Sequence, residues 1–442
     1  MWMYVLGYLL HFIKMKLSIY NSIIPISDKF VIIYNANTDK YLCLRFELWK
    51  QLNERTSSVN KKIVERLLDA EMIVPDDEDE VNSYVEKEKS SEKNDDVYRL
   101  IINPTIQCNF HCWYCYEKHI PSMMLPKTIS SVQAFINSQL KRNFRLQLSF
   151  FGGEPLLYYK EVVKPIMEYA LKQSHINDKK LTLDFTSNGY LLTQDIVDDL
   201  KTVDYVSFQI TLDGCKDHHD LTRYSNKSAG SYQRIVDNIK LLIANRIHVT
   251  LRINFTRENI GDIDKISSSF SDLSEEEKSL LEISLHKVWQ EGLIPDAEIT
   301  PITRHFYEEG FKVTYNLMRD RCYGDSREGA VINYNGDVYK CTAVDFATTK
   351  REGHISEEGE IIWENNSLEK RMESKYANTH CLSCWVFPIC HGGCTQRALS
   401  QAGKNTCLFN YDESQKDAMV MERLVYNIRY NPVFKTLKSK LL

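Results

Sequence analysis

The sequence predicts an α/β fold built on a parallel sheet, with a small strand-rich segment ahead of it and a cysteine-rich segment behind. Three observations carry this. Between residue 97 and about residue 289, strand-like and helical patterns alternate six times. Roughly the first 80 residues read as short strands followed by helices, and seven of the 12 cysteines lie between positions 322 and 407. A length of 442 residues suggests about three domains.

At the start, residues 1–13 are apolar but too few for a bilayer span, and no basic residue precedes them as in a signal peptide. They read as an amphipathic leading helix or an over-long start, with Met15 as the working one. Residues 18–25 and 29–34 are β-rich, 35–39 supply turn residues, and 41–45 resume the extended pattern. Apolar spacing then predicts helices at 47–52 and 59–70. From 75 to 96 the composition shifts to Asp, Glu, Lys and Ser, which reads as a solvated linker or surface helix.

The central strands are expected at 98–102, 146–150, 181–185, 205–210, 249–253 and 281–285, with helices such as 161–172 and 232–245 between them. Six βα repeats imply a parallel sheet whose functional residues sit at the C-terminal strand ends. A connecting helix is expected near 303–318. Residues 331–334 and 337–340 flank Asn335-Gly336, a hairpin signal because Asn-Gly accepts the positive φ of a type I′ turn. A last helix is expected at about 412–429. The domain boundaries that follow are 1–80, an acidic linker at 81–96, 97–318, 319–408 and 409–442.

Cys108, Cys112 and Cys115 lie directly after the first central strand in a CxxxCxxC spacing. Three thiolates can hold three irons of a 4Fe-4S cube and leave the fourth open, whereas a structural or electron-carrying cluster takes four cysteines. With 43% hydrophobic residues the chain can bury several cores, so it needs no disulfide staples, and close CxxC spacing favours metal. Only Cys43 and Cys215 fall outside any spacing pattern. A net charge of −5 without a Lys/Arg block argues against nucleic acid as the main partner.

The triad resembles the signature of the radical S-adenosylmethionine (SAM) enzymes, and further motifs follow in the order of that family. Gly152-Gly153-Glu154-Pro155, after the second strand, resembles the turn whose backbone and Glu meet the methionyl ammonium. Tyr114 stands where the family places an aromatic beside the adenine. Ser187 and Asn188, within Thr-Ser-Asn-Gly after the third strand, resemble the ribose-contacting segment. Thr211 and an arginine, Arg223 or Arg252, resemble the groups that assist the cofactor carboxylate, a task suited to the planar guanidinium fork. His219 reads as a structural hydrogen-bonding residue.

The C-terminal cysteines resemble the SPASM extension with its two auxiliary 4Fe-4S clusters. The resemblance assigns Cys381, Cys384, Cys390 and Cys407 to the outer cluster and Cys322, Cys341 and Cys394 to the inner one. Glu328 lies near where some relatives carry a fourth inner cysteine. Residues 1–80 resemble the winged-helix-type domain that captures a leader peptide as an added edge strand. The resemblance therefore implies a partial (β/α)6 barrel between a peptide-recognition domain and an iron-sulfur domain. It implies a cytoplasmic maturase of ribosomally made peptides, served by an electron donor such as flavodoxin or ferredoxin, that installs a thioether, carbon-carbon or carbon-oxygen crosslink. An anaerobic sulfatase maturase is the alternative enzyme, but Thr342 stands where those carry Asp after the Gly-x4-Cys cysteine. An iron-sulfur electron carrier or leader-binding protein is the non-enzymatic alternative.

Overall fold

A computed structural model describes residues 15–53, 61–93, 96–225, 229–292, 294–315, 322–401, 403 and 405–430. The apolar start at 1–13 lies outside these. The chain divides into two compact units, one holding the N-terminal segment, 317–326 and the stretch from 370 onward, the other holding 95–316 and 327–369. No helix among the described residues is long and apolar enough to cross a membrane.

The second unit is built on an extended sheet. Its six expected strands are present as β6 (Val97–Ile102), β7 (Arg145–Phe150), β8 (Lys180–Ser187), β9 (Val206–Leu212), β10 (His248–Phe255) and β11 (Leu281–Lys287), paired in parallel in chain order. Two short strands extend this set. β12 (Lys312–Tyr315) joins β11 in parallel, and β13 (Gly329–Ile332) joins β6 in parallel at the other end. The parallel array thus has eight strands rather than six. β14 (Asp337–Tyr339), β15 (Gly353–Ile355) and β16 (Ile361–Trp363) then continue the sheet antiparallel.

Period-two alternation sorts the two faces of this sheet. Leu146, Leu148 and Phe150 on β7, Leu183 and Phe185 on β8, and Phe208 and Ile210 on β9 are buried in one core. Phe150, Phe185 and Phe208 occupy one register row, and their rings stack at 5.1 and 4.6 Å. The alternate residues are polar, and Asp184 accepts from Gln147 at 2.8 Å and from Ser207 at 2.5 Å.

Three expectations need correction. The connecting helix is Asp296–Glu308, earlier than expected, because Gly310 at φ +88° closes it in a Schellman motif, with Phe311 N–H bonded to Phe306 C=O and Gly310 N–H to Tyr307 C=O. The hairpin forms, but its turn spans residues 333–336 and only Gly336 has positive φ, so it is not a two-residue type I′ turn. Residues Glu80–Lys93 form a helix, one of the two expected forms, but not a wholly solvated one: Tyr84 and Val85 are buried, and Tyr84 is edge-on to Phe387 at 5.3 Å.

In the first unit, β1 (Met15–Leu17) pairs with β5 (Ile73–Pro75), and β2 (Asn21–Pro25), β3 (Phe30–Asn35) and β4 (Lys40–Arg45) form an antiparallel sheet. Helices Phe46–Asn53 and Lys61–Asp69 follow β4. Tyr20, Tyr34 and Tyr84 share a core with Cys381, Phe387, Ile389 and Val420. The N-terminal strands and the last cysteine segment therefore share one core.

Phe185 is 1% exposed in the middle of the ring row. Phe185→Ala is expected to lower stability by about 3–5 kcal/mol, read as a shift in the urea midpoint of the cluster-free protein.

Candidate active site

The parallel order brings the C-terminal ends of β6 to β10 to one edge, and the loops there carry the motif residues. After β6 the chain turns into the cysteine loop. Thr105 Oγ1 holds this loop by donating to Ser122 C=O at 2.6 Å and accepting from Gln107 N–H at 2.9 Å. Cys108 and Cys112 are half-buried and Cys115 is exposed. Phe110 N–H donates to Cys108 Sγ at 3.4 Å, and Cys115 N–H closes a turn on Cys112 C=O at 3.1 Å.

Gly152 and Gly153 after β7 are required by this loop. A Cβ on Gly152 would stand 2.4 Å from Thr105 C=O, and one on Gly153 would stand 2.3 Å from Gln107 C=O. Gly152 also holds φ +97°. Glu154 is fully buried. It accepts from Leu156 N–H at 3.0 Å, Ser187 Oγ at 2.8 Å and Asn188 N–H at 2.8 Å. Burial pushes its carboxyl pKa up, while these three bonds oppose the shift. Pro155, also buried, opens the 3₁₀ turn that follows. Asn188 Nδ2 donates to Asn109 Oδ1 at 2.8 Å and lies 3.9 Å from Cys108 Sγ.

A second polar group surrounds Tyr114. Its hydroxyl donates to Asp213 at 2.7 Å and accepts from Arg223 at 2.7 Å and Asn254 at 3.1 Å. Arg252 Nε donates to Asn254 Oδ1 at 2.8 Å, so both candidate arginines enter the same network. Thr211 stands opposite Arg252 in the β9–β10 register. Burial raises the Asp213 carboxyl, and the Arg223 charge opposes it. Asp213 and Asn254 were not singled out from sequence. The signal for Asn254 was its place two residues after Arg252, on the same strand face.

The expected triad thus comes together with Glu154, Ser187 and Asn188, and Tyr114 with both arginines. His219 is buried, accepting from Asp213 N–H at 3.2 Å with its other nitrogen 2.9 Å from Ser231 Oγ, as a structural histidine does. Of the C-terminal cysteines, Cys381 and Cys390 both lie within electrostatic reach of Cys384 and Cys407. Burial pushes Cys381 up to about 11 and Cys390 up to about 12, and the neighbouring thiols add to it. Cys322 precedes a 3₁₀ turn, Cys341 follows β14, and Cys394 caps the helix Thr395–Ser400.

Residues 102–269 match the Radical SAM superfamily. A mycofactocin maturase of Mycolicibacterium smegmatis is 25% identical over 66% of this chain and 76% of its own length. A radical SAM cyclopropyl synthase of Paramaledivibacter caminithermalis is 23% identical over 48% of each chain. In that synthase, and in an uncharacterised Synechocystis protein that matches at 28% identity, this chain spans about half of the relative's length, 48% and 50%. Among solved structures, Streptococcus suis SuiB bound to its precursor peptide SuiA aligns with a TM-score of 0.51 at 13% identity, over 89% of this chain and 98% of that one.

The superfamily binds a 4Fe-4S cluster and SAM, and the residues present fit both. Burial and the Glu154 charge push the Cys108 thiol up to about 12, and burial raises Cys112 and Cys115 as well. Three thiols raised in this way on one loop are poor thiolates until a cation compensates them, which is what iron does. Among the described residues, Asn109 Nδ2 and Arg223 Nε are buried without a hydrogen-bond partner, leaving donors for a polar ligand.

Two substitutions test this geometry. Gly153→Ala is expected to weaken SAM binding by at least about tenfold in equilibrium dialysis of the reconstituted protein, whereas Gly261→Ala, whose Cβ would meet nothing within 4 Å, leaves it unchanged. Tyr114→Phe removes the hydroxyl shared by Asp213, Arg223 and Asn254, and is expected to weaken SAM binding by about threefold to tenfold, the value of one hydrogen bond.

Proposed function

We propose that this chain is a radical SAM maturase that crosslinks a precursor peptide. The observation that carries the reading is the cysteine loop locked against Gly152-Gly153, with Glu154 beneath it and the Tyr114 cluster beside it. In this reading Glu154 takes the methionyl ammonium, since three accepted bonds leave its two oxygens further capacity. Arg223 or Arg252 receives the carboxylate, and Ser187 and Asn188 face the ribose. Tyr114 positions the adenine side through its ring while its hydroxyl anchors the arginine network.

When bound, cluster and cofactor supply a 5′-deoxyadenosyl radical that takes a hydrogen atom from a side-chain or α carbon of the peptide. Bond formation between that carbon and a second substrate atom then releases one proton and one electron. The cysteines after residue 320 provide for the electron. Cys381, Cys384, Cys390 and Cys407 would hold an outer auxiliary cluster, supported by the influence of the Cys384 and Cys407 thiols on both Cys381 and Cys390. Cys322, Cys341 and Cys394 would hold an inner one, an assignment that rests on their order in the sequence.

A peptide substrate is supported by the names of the relatives and by the N-terminal sheet. In the order β2-β3-β4, β2 and β4 are edges whose free backbone groups suit strand addition by a leader. The winged-helix comparison, the cytoplasmic location and a flavodoxin or ferredoxin donor belong to the same proposal.

The anaerobically reconstituted chain is expected to hold about 12 irons, and about eight after Cys108→Ala/Cys112→Ala/Cys115→Ala, four per cluster. With dithionite it forms 5′-deoxyadenosine, and the triple variant forms none. Incubated with a leader-bearing precursor peptide, it should produce a mass loss of about 2 Da per crosslink, the two hydrogens that leave as a bond forms. Equal 5′-deoxyadenosine from both proteins overturns the triad as the reactive site. Formylglycine on a Cys or Ser peptide would favour the sulfatase-maturase chemistry instead.

A further inference from the structure

Cys215 stands outside every cysteine spacing pattern, yet the fold gives it two partners. β9 ends at Leu212, Gly214 turns the chain at φ +84°, and Cys215 then caps the helix Lys216–Thr222. His218, three residues on, lies on the same side of that turn. From the neighbouring strand, β10 leads through Asn259 into the 3₁₀ stretch Ile260–Phe270, which carries Asp262. Cys215 Sγ lies 3.0 Å and His218 Nδ1 2.9 Å from Asp262 Oδ2, and Sγ and Nδ1 are 3.9 Å apart.

We infer that Cys215, His218 and Asp262 form a binding site for a single zinc ion, separate from the cysteine triad. The donor set is one thiol, one imidazole and one carboxylate, all half-buried and within 4.8 Å of one another. Such ligands suit zinc among the common divalent ions. Zinc–ligand bonds of about 2.0–2.3 Å at a tetrahedral angle separate ligand atoms by about 3.3–3.6 Å, so each observed spacing is within about 0.6 Å of that geometry. As a bare hydrogen-bonded trio the group is unbalanced. Thiol and imidazole both converge on Oδ2, while Oδ1 is buried with no partner among the described residues. Among the described residues Asp262 has no Lys or Arg partner. A cation answers the carboxylate, the thiol loses its proton on binding, and no electron moves.

The adjacent His219 is not a ligand, because Asp213 N–H and Ser231 occupy its two nitrogens. His218 instead lines a cavity of about 30 Å³ together with Tyr114, Asp213 and Asn254. Zinc there would fasten the ends of β9 and β10, the two strands that deliver Asp213 and Asn254 to the Tyr114 hydroxyl. It is a positioning ion for the cofactor side of the site, with its fourth position left to water.

The test is iodoacetamide labelling of Cys215 in the anaerobic, iron-loaded protein, read by peptide mass spectrometry with EDTA or with added zinc chloride. Zinc is expected to slow labelling of Cys215 by at least about tenfold in the parent chain. It should leave His218→Ala and Asp262→Asn labelled at the same rate with and without zinc. Iron content equal to the parent's shows that these variants are folded, and it also separates this result from the fate of the triad. A Cys215 rate indifferent to zinc in the parent, or full protection retained in folded Asp262→Asn, overturns the site.

Discussion

The active edge of this sheet depends on one buried carboxylate. Glu154 is fully enclosed, and a buried charge is tolerated only when its lone pairs are met. Its oxygens gather Leu156, Ser187 and Asn188, and its own N–H donates to Gln107 C=O at 2.9 Å. A single residue therefore ties the end of β7 to the end of β8 and to the cysteine loop after β6. The glycines before it follow from the same demand. With the backbones this close there is no room for a Cβ, so the approach that positions Glu154 also fixes Gly152 and Gly153.

Around this knot the two faces of the sheet divide the labour. One face gives its Phe and Leu rows to the core and supplies rigidity. The other carries Asp184, Thr211, Arg252 and Asn254, with Asp184 hydrogen-bonded to Gln147 and Ser207. In a parallel array the C-terminal strand ends share one edge, so this polar face meets the loops that carry the cysteines, Tyr114 and Arg223 there. The Arg223 guanidinium lies 5.7 Å from the Phe110 ring, which puts a cation beside the thiol loop at a site where burial alone would keep the thiols protonated.

Much of this was legible in the sequence, and the reasons are physical. The six long strands announced themselves by short apolar runs, most of them alternating with polar residues, and the triad by cysteine spacing that one loop can satisfy. β12, four residues long, carries too little pattern, and although the first arm of the hairpin was legible, the parallel pairing of β13 with β6 is a long-range contact that local sequence does not encode. Tyr114 was legible as a site residue through its place in the motif. Its hydroxyl partners Asp213 and Asn254 were not, because they come from β9 and β10, about 100 and 140 residues away. The helix Glu80–Lys93 was obscured by charge, since its buried face rests on little more than Tyr84 and Val85.

The shared core of the first unit constrains how a recognition segment and a cluster segment can behave. Asp39, in the β3–β4 turn, pairs with Arg423 at 2.7 Å, and Ser22 on β2 donates to Asp417 at 2.8 Å. Tyr84 and Tyr20 pack with Phe387, three residues from Cys384 and from Cys390. Removing the N-terminal strands would uncover that core and loosen the loop bearing Cys381, Cys384 and Cys390, so a truncation reports on the cysteine segment as much as on peptide capture. The same packing runs the other way. Four thiols gathered on one ion cluster would brace the wall on which Tyr20 and Tyr84 rest, so any peptide added at the edge of β2 or β4 meets a sheet whose rigidity is set by the cysteines behind it.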